Sequence, residues 1–387
     1  MEQVLYKLPD GWEWKRIEDV FTITSGKNLT KKDMHDEGEF PVYGGNGIAG
    51  RYNNFNLSGS NIIIGRVGAL CGNVRLVNSD IWVTDNAFFI KEYKVDILKE
   101  YLAKVLSTLN LGETANKAAQ PVISYKGIKD LVIPYPPLDE QKCIVEKLDA
   151  MLTRIDTAIE HLQESVTLAD ALYASSLDQV FEKVYLDYST KPLSVLASKI
   201  GSGATPKGGQ KAYKESGISL IRSLNVYDSE FKPEGLAFID DDQAEKLSNV
   251  VVEEGDVLLN ITGASIARCC VAPVELLPAR VNQHVCIIRP NEELNSTYLN
   301  YLLISPKFKA ALLFQGAGGA TRQALTKVMV SNLEIPLPPL EMQAELVGKV
   351  NLFSQKNRAL KEQVNSKISD LITLKASILD SAFKGEL

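Results

Sequence analysis

Several residue types in this sequence could do metal or nucleophilic chemistry, but their spacing does not gather them into a site. The histidines are His35, His161 and His284, and the cysteines are Cys71, Cys143, Cys269, Cys270 and Cys286. No histidine has H-E-x-x-H spacing or a nearby cysteine pair, and no C-x-x-C occurs, so no metal centre is expected. An odd cysteine count argues against a disulfide framework, and buried free thiols are the expected state. Transfer of a methyl group to a base amine needs a short Asn/Asp-Pro-Pro-aromatic motif whose amide or carboxylate accepts from that amine. "PYPPL" (residues 134–138) and "PLPPL" (336–340) lack this acceptor. No G-x-x-x-x-G-K-[ST] loop occurs; "SGKN" (25–28) and "GATPKGG" (203–209) have the wrong spacing for one. The acids of "FIDDDQAE" (238–245) read as a charged, solvated loop. The chain is therefore expected to hold no cofactor, no metal and no catalytic site.

What remains is surface chemistry suited to DNA. In the first part of the chain, "SGKNLTKK" (25–32) and "YGGNGIAGRYNN" (43–54) combine glycine with Lys, Arg, Asn and Tyr. In the second, "SGATPKGGQKAYK" (202–214), "RSLNVY" (222–227) and "GAGGATRQ" (316–323) do the same. Lys and Arg neutralise phosphates, while Arg, Asn and Gln can pair bidentately with guanine or adenine edges. Glycine lets backbone amides approach a phosphate. The candidate DNA-binding residues are Lys27, Lys31, Lys32, Tyr43, Asn46, Arg51, Arg66, Lys207, Lys211, Arg222, Asn225, Arg322 and Gln323. Ordinary surface turns share this composition, and that reading stays open beside the functional one.

The net charge of −6 runs against a DNA binder until its distribution is considered. Residues 139–187 hold 11 acids and 4 bases, whereas residues 1–138 hold 16 of each and residues 188–339 hold 15 of each. Residues 340–387 carry 6 acids and 7 bases. Affinity for DNA must come from local basic faces or from partner chains.

The elements that would position these loops are set by a tandem duplication. "IKDLVIPYPPLDEQKCIV" from Ile128 and "VSNLEIPLPPLEMQAELV" from Val330 align at an offset of 202 residues. The same offset places Leu172, Ala174, Leu177, Asp178 and Phe181 on Leu374, Ala376, Leu379, Asp380 and Phe383 without a gap. Upstream the match is looser: 84–90 lies opposite 281–287 at an offset of 197, and 65–70 opposite 260–265 at 195. Drifting offsets mean changes of loop length within a common fold. After each proline run a long helix is expected, because proline forbids helix before that point and acidic residues then favour the helix start. Each helix should span about 40 residues, roughly 60 Å at the α-helical rise. The first carries a heptad seam of Leu148, Leu152, Ile155, Ile159, Leu162, Val166, Ala169 and Tyr173. The second carries Leu346, Val350, Phe353, Leu360, Val364, Leu371, Leu374 and Ile378, interrupted by Asn357 and Lys367. Independent packing of each helix on its own domain is the competing reading.

The globular parts read as mixed α/β (α+β). "NIIIGRVG", "IWVTDNAFFI", "VVVEEGDVLLNITG" and "VNQHVCIIRP" are short β-rich runs, and "LKEYLAKVLSTLN" and "STYLNYLLISPKFKAALLFQ" are helical. No run of about 18 apolar residues would span a membrane. Charges and a proline occupy "MEQVLYKLPDGWEWKR", where a secretory core would lie, so a cytoplasmic protein is expected.

Two variable α/β domains, each followed by a Pro-Pro-Leu-anchored long helix, resemble the specificity subunit of type I restriction-modification enzymes. "IPYPPLDEQKCIVEKLDAMLTRID" and "IPLPPLEMQAELVGKV" are similar to its two repeated helical regions, and the likeness spans essentially the whole chain. One departure is Met342, which stands where the first copy has Glu140. The resemblance implies target recognition domains at 1–138 and 188–339, a central conserved helix at 139–187 and a C-terminal one at 340–387. It implies antiparallel helices that separate the domains, with an internal pseudo-two-fold. It further implies double-stranded DNA with a bipartite target and two S-adenosylmethionine-binding methylation subunits. Two ATP-dependent restriction/translocase subunits would complete the assembly, with no membrane involved. A spare or silent specificity subunit used for domain exchange, a protein-binding coiled-coil scaffold, and a freestanding methyltransferase or nuclease are the alternatives. The missing motifs count against the last.

Overall fold

The computed structural model describes residues 3, 5–116, 119–206, 208–317 and 324–387. Both long helices start directly after the proline runs, at Leu138–Asp187 (50 residues) and Leu340–Lys384 (45 residues). They are longer than the apolar repeat indicated, because no proline interrupts either helix before Pro192 in the first copy and Gly385 closes the second. The chain forms two compact units that each combine one globular domain with part of both helices. One is Met1–Leu162 with Ser366–Leu387, and the other is Gln163–Asn365.

In the first unit an antiparallel sheet runs Phe21–Ser25, Ala87–Tyr93, Ser60–Gly65, Val74–Asn78. Its strand Ser60–Gly65 contributes the fully buried Ile62 and Ile64 to the main core. A second sheet runs Gly47–Tyr52, Phe40–Gly44, Trp82–Val83, the last pair parallel. Helix Lys99–Thr108 buries Tyr101, Leu102, Val105 and Leu106. These join Ile144, Leu148 and Leu152 of the first long helix and Phe383 of the second in one core.

The second unit repeats this plan. Ala197–Ser202, Val285–Pro290, Val257–Asn260 and Cys269–Val271 form the first sheet. Ala237–Ile239, Ile218–Ile221, Ala279–Val281 and Val251–Val252 form the second. The ladders correct one alignment. Gly65 pairs with Ala87, and the equivalent Asn260 pairs with Val285, so this strand repeats at 198 rather than 197. Both are apolar runs that tolerate a one-residue slip on paper, but a slip would exchange the two faces of the strand. Close approaches agree: a Cβ on Gly26 would collide with the Val83 carbonyl, and one on Gly203 with that of Val281. The segment from Ser296 divides at Pro306 into helices Ser296–Ile304 and Pro306–Ala317.

The proline anchor is tied to each domain by the same fully buried glutamine. Gln141 accepts from the Leu98 amide (2.9 Å) and donates to the Pro136 carbonyl (2.9 Å). Gln343 accepts from the Asn295 amide (2.8 Å) and donates to the Glu293 and Pro338 carbonyls (both 2.9 Å). Tyr101 and Tyr298 complete the joint by donating to the Pro134 and Pro336 carbonyls. Burial raises both phenols well above their ordinary range.

The helices run antiparallel within each unit. Lys375 reaches Asp156 (2.6 Å) in the first, and Lys361 reaches Asp170 (2.9 Å) in the second. The expected seam of the first helix is buried or half-buried throughout. That of the second helix needs correction. Phe353, Leu360 and Leu374 are exposed, while Asn357 keeps its expected seam position and donates to Asp170. Polar pairing of Asn357 and Lys361 with Asp170 therefore stands beside seam positions whose apolar side chains face solvent. The free cysteines also split: Cys269, Cys270 and Cys286 are buried, Cys71 is half-buried and Cys143 is exposed. Burial pushes the Cys270 and Cys286 thiols up to about 12.

Candidate nucleic-acid interface

Each domain carries a concavity at the equivalent place, where the loop after the central buried strand meets the segment preceding its last strand. In the first unit the Arg66 amide donates to the Asn86 carbonyl, and Val67 bridges Val122. In the second, the Ile261 amide donates to the His284 carbonyl, and Thr262 bridges Ala324. Gly68 and Gly263 follow with φ of +104° and +77°, a left-handed turn that favours glycine. The first concavity, about 300 Å³, is lined by Lys31, Asn46, Val67, Thr84 and Asn86 among others. The second, about 680 Å³, is lined by Tyr227, Thr262, Ser265, Arg268 and His284 among others.

The sequence-selected residues divide by what their side chains already touch. Lys27, Lys31 and Lys32 are exposed, with Lys31 and Lys32 on the short turn Lys31–Asp33. Asn46 is exposed at the tight turn between the first two strands of the small sheet, and Tyr43 is half-buried beside it. Lys211 is exposed on Gly209–Ala212. Arg51 donates to the carbonyls of Gly38 and Glu39, and Arg66 donates to that of Asp85 while lying over the Phe88 ring. Arg222 donates to the Gly235 carbonyl and lies over Tyr213. These arginines hold loops in place with the groups that would otherwise fork onto a base. Asn225 is a correction: it is fully buried, accepting from the Arg222 amide and donating to the Lys232 and Glu234 carbonyls. No part of that amide is left for a base. Lys207, Arg322 and Gln323 lie outside the described residues.

The residues that sequence reasoning missed sit on strands or inside apolar runs. Arg75, on Val74–Asn78, reaches the Asn46 carbonyl. Arg268 precedes Cys269–Val271 within "SIARCCV", and Lys232 ends the ribbon Glu230–Phe231. Arg268 and Lys232 both lie over the Tyr227 ring, at 4.5 and 4.3 Å from its centroid. His284 shares a hydrogen bond with Thr262 through Nδ1 (2.5 Å). Tyr227 fell within a selected loop, but only its fold neighbours show it to be a platform for cations.

The acidic run "FIDDDQAE" proves to be a helix start rather than a loop. Asp240 caps Asp241–Glu245 in a reciprocal capping box with Gln243. The Gln243 amide hydrogen bond and the Lys214 ammonium hold the Asp240 carboxyl below its usual range. Among the described residues, no group of three or more His, Cys, Asp or Glu could hold a metal ion, and no helix is long and apolar enough to cross a membrane.

A second kind of surface lies on the helices. Leu168, Leu172, Leu352, Phe353 and Leu360 are exposed in one unit, and Ile372 and Leu374 in the other.

Comparison with known proteins supplies the remaining context. The family model described as the type I restriction modification DNA specificity domain matches residues 9–168 and again 192–370. The type I restriction enzyme EcoBI specificity subunit of Escherichia coli is 25% identical over 347 residues, covering 80% of this chain and 71% of that one. The MjaVIII specificity subunit of Methanocaldococcus jannaschii is 23% identical over 402 residues, covering 95% and 92%. A chain solved in work on complex assembly and conformational transition of the type I R-M system superposes with a TM-score of 0.77. Its identity is 23%, and the match covers 99% of this chain and 100% of that one.

Proposed function

The chain belongs to the type I restriction modification DNA specificity family, with one specificity domain in each half, and from that premise we propose that each globular domain reads one half of a bipartite DNA site. It is the DNA-specificity subunit of a type I restriction-modification enzyme. Recognition is its contribution, and methylation and restriction subunits supply the chemistry. Two methylation subunits dock on the helical regions around residues 134–156 and 336–358, and two ATP-dependent restriction/translocase subunits complete the assembly. The complex works in the cytoplasm, where its DNA is. The segments 1–138, 139–187, 188–339 and 340–387 serve as recognition domain, helix, recognition domain and helix.

The observation that carries this reading is the repeated concavity. The same backbone joint, left-handed glycine and bridged segment recur in both domains, while the side chains around them differ. A shared frame with different linings is what reading two unlike half-sites requires. Of the DNA-facing set from the sequence, Lys27, Lys31, Lys32, Tyr43, Asn46 and Lys211 are proposed to act from the surface of their domains, and Lys207, Arg322 and Gln323 are proposed on sequence alone. Reconstitution with the methylation subunit tests the proposal. The expected result is adenine methylation at a two-part sequence by a complex of two methylation subunits per specificity chain, as weighed by native mass spectrometry. Methylation or cleavage by the purified chain alone, or a saturated one-to-one complex, would refute it.

A further inference from the structure

The two domains part company at one turn. In the first, Phe40–Gly44 returns into Gly47–Tyr52 through Gly45 and Asn46 alone. In the second, the equivalent strands Ile218–Ile221 and Ala237–Ile239 are joined by residues 222–236. This insertion folds into a ribbon, Val226–Tyr227 against Glu230–Phe231. It is tightly held. Asn225 ties its two ends, the Asn260 side chain donates to Ser223 O (2.9 Å), the Ser229 backbone amide donates to Cys269 O (2.8 Å) and the Asn300 side chain donates to Ser229 Oγ (2.7 Å).

The ribbon brings Tyr227 and Lys232 beside Arg268 at the rim of the second concavity. Lys232 and Arg268 are half-buried, and neither forms an ion pair or a side-chain hydrogen bond with any described residue. The neighbouring Asp228 is already engaged by Lys309. Two partly desolvated cations that share one ring and lack a carboxylate leave positive charge uncompensated. Ser223 and Ser265 line the same concavity and bring hydroxyl donors. Paired cations with hydroxyl donors in a rigid recess match the phosphodiester backbone of DNA, to which Arg, Lys, Ser and Thr make most protein contacts.

We propose that the ribbon at residues 222–236 and Arg268 form a phosphate clamp on the DNA backbone, confined to the second domain, with Arg268 and Lys232 as its two charges. This rests on the specificity-subunit reading and adds an asymmetry to it. The half-site read by the second domain is gripped at backbone positions that have no counterpart on the other side.

The test uses the full chain assembled with its methylation subunits, comparing wild type, Arg268→Ala/Lys232→Ala and the charge-keeping Arg268→Lys. Each phosphate neutralised contributes about 0.9 to the slope of log affinity against log salt. The double variant should therefore lose up to about two units of slope and bind roughly tenfold more weakly at low salt, with the methylated sequence unchanged. Arg268→Lys should keep the slope. Ethylation interference should mark extra phosphates beside the second half-site in wild type and Arg268→Lys but not in the double variant. An unchanged slope and affinity would overturn the clamp, and a relaxed base preference in the second half-site would show base reading instead. Loss of slope in Arg268→Lys as well would show a structural role. A wild-type complex that recognises no bipartite site would instead overturn the functional reading itself.

Discussion

Replacing Gln343 with methionine should loosen the joint between the second long helix and its recognition domain while leaving the volume of the side chain nearly unchanged. Gln343 is fully buried and holds three backbone groups: the Asn295 amide at 2.8 Å, and the Glu293 and Pro338 carbonyls at 2.9 Å. The thioether replaces none of these bonds, and a buried backbone group left without a partner costs about 1–3 kcal/mol. With one donor and two acceptors stranded and some relaxation, the expected loss is about 3 kcal/mol. Gln141→Met strands only the Leu98 amide and the Pro136 carbonyl, so about 2 kcal/mol is expected there. The two losses should fall on different units, because Gln141 and Gln343 belong to different ones. Denaturant unfolding followed by hydrogen exchange separates them. Asn295 is also the N-cap of Ser296–Ile304, accepting from the Tyr298 amide. Amides of that helix should exchange faster in Gln343→Met, with those of Lys99–Thr108 unchanged. A variant that unfolds at the wild-type midpoint, with wild-type exchange at Ser296–Ile304, would refute the idea that the buried amide clamps helix to domain.

Three further outcomes are expected. Grafting a foreign recognition domain in place of residues 1–138 should change one half-site alone, and genome-wide mapping of methylated adenines checks this; joint change of both halves would contradict independent reading. Inserting one heptad into both long helices adds about 10 Å to each, or roughly three base pairs. A library of gap lengths should then show preference for a longer gap, with affinity reduced by the roughly 100° rotation between half-sites. Burial favours the neutral form of Asp170, but hydrogen bonds from Lys361 and Asn357 outweigh it and lower its pKa. A depressed carboxylate contributes stability above its unfolded pKa and loses it as pH falls through the folded value. Acidification below about pH 4 should therefore weaken the second unit by about 0.2–1 kcal/mol, because the pair is half-exposed. In Lys361→Met most of this acid dependence should vanish from denaturation curves.

Covalent and steric rules made the frame legible. Proline before Leu138 and Leu340 forces the helix starts, and the repeat at 202 carries the glutamine joint in both copies. The heptad count failed on the second helix because it ranks side chains by apolarity alone. Asp170 pairs with Asn357 and Lys361, and that pairing is visible only when the opposing helix is in place. Composition likewise does not show which candidate side chains are already engaged within the domain. Composition put Arg51, Arg66, Arg222 and Asn225 among the DNA readers, but their hydrogen bonds go to carbonyls within the domain. Arg268 lies within the largely apolar "SIARCCV" and outside the glycine-rich loops that composition singles out, yet it lines the concavity after the turn Gly263–Ser265.

The divergence between the halves follows from where each residue sits in the shared frame. Gln141 and Gln343, Tyr101 and Tyr298, and Gly26 and Gly203 occupy buried or sterically closed positions, where most substitutions strand a polar group or force a clash. Such positions admit little change in either copy. The turn after Phe40–Gly44 and after Ile218–Ile221 is different in length: it reaches the surface at Asn46 in one copy and at 228–230 in the other, and lengthening a surface loop costs little entropy. One copy keeps two residues there and the other inserts a ribbon with its own buried staple, Asn225. A new loop offers stable contacts to DNA only when its charged side chains are held in place before binding, because otherwise ordering them consumes the binding energy. The side-chain amides of Asn225 and Asn260 hold the ribbon's backbone in the folded chain, and Lys232 and Arg268 lie over the Tyr227 ring. Recognition can thus diversify at this turn while the joints that tie each domain to its helix stay the same.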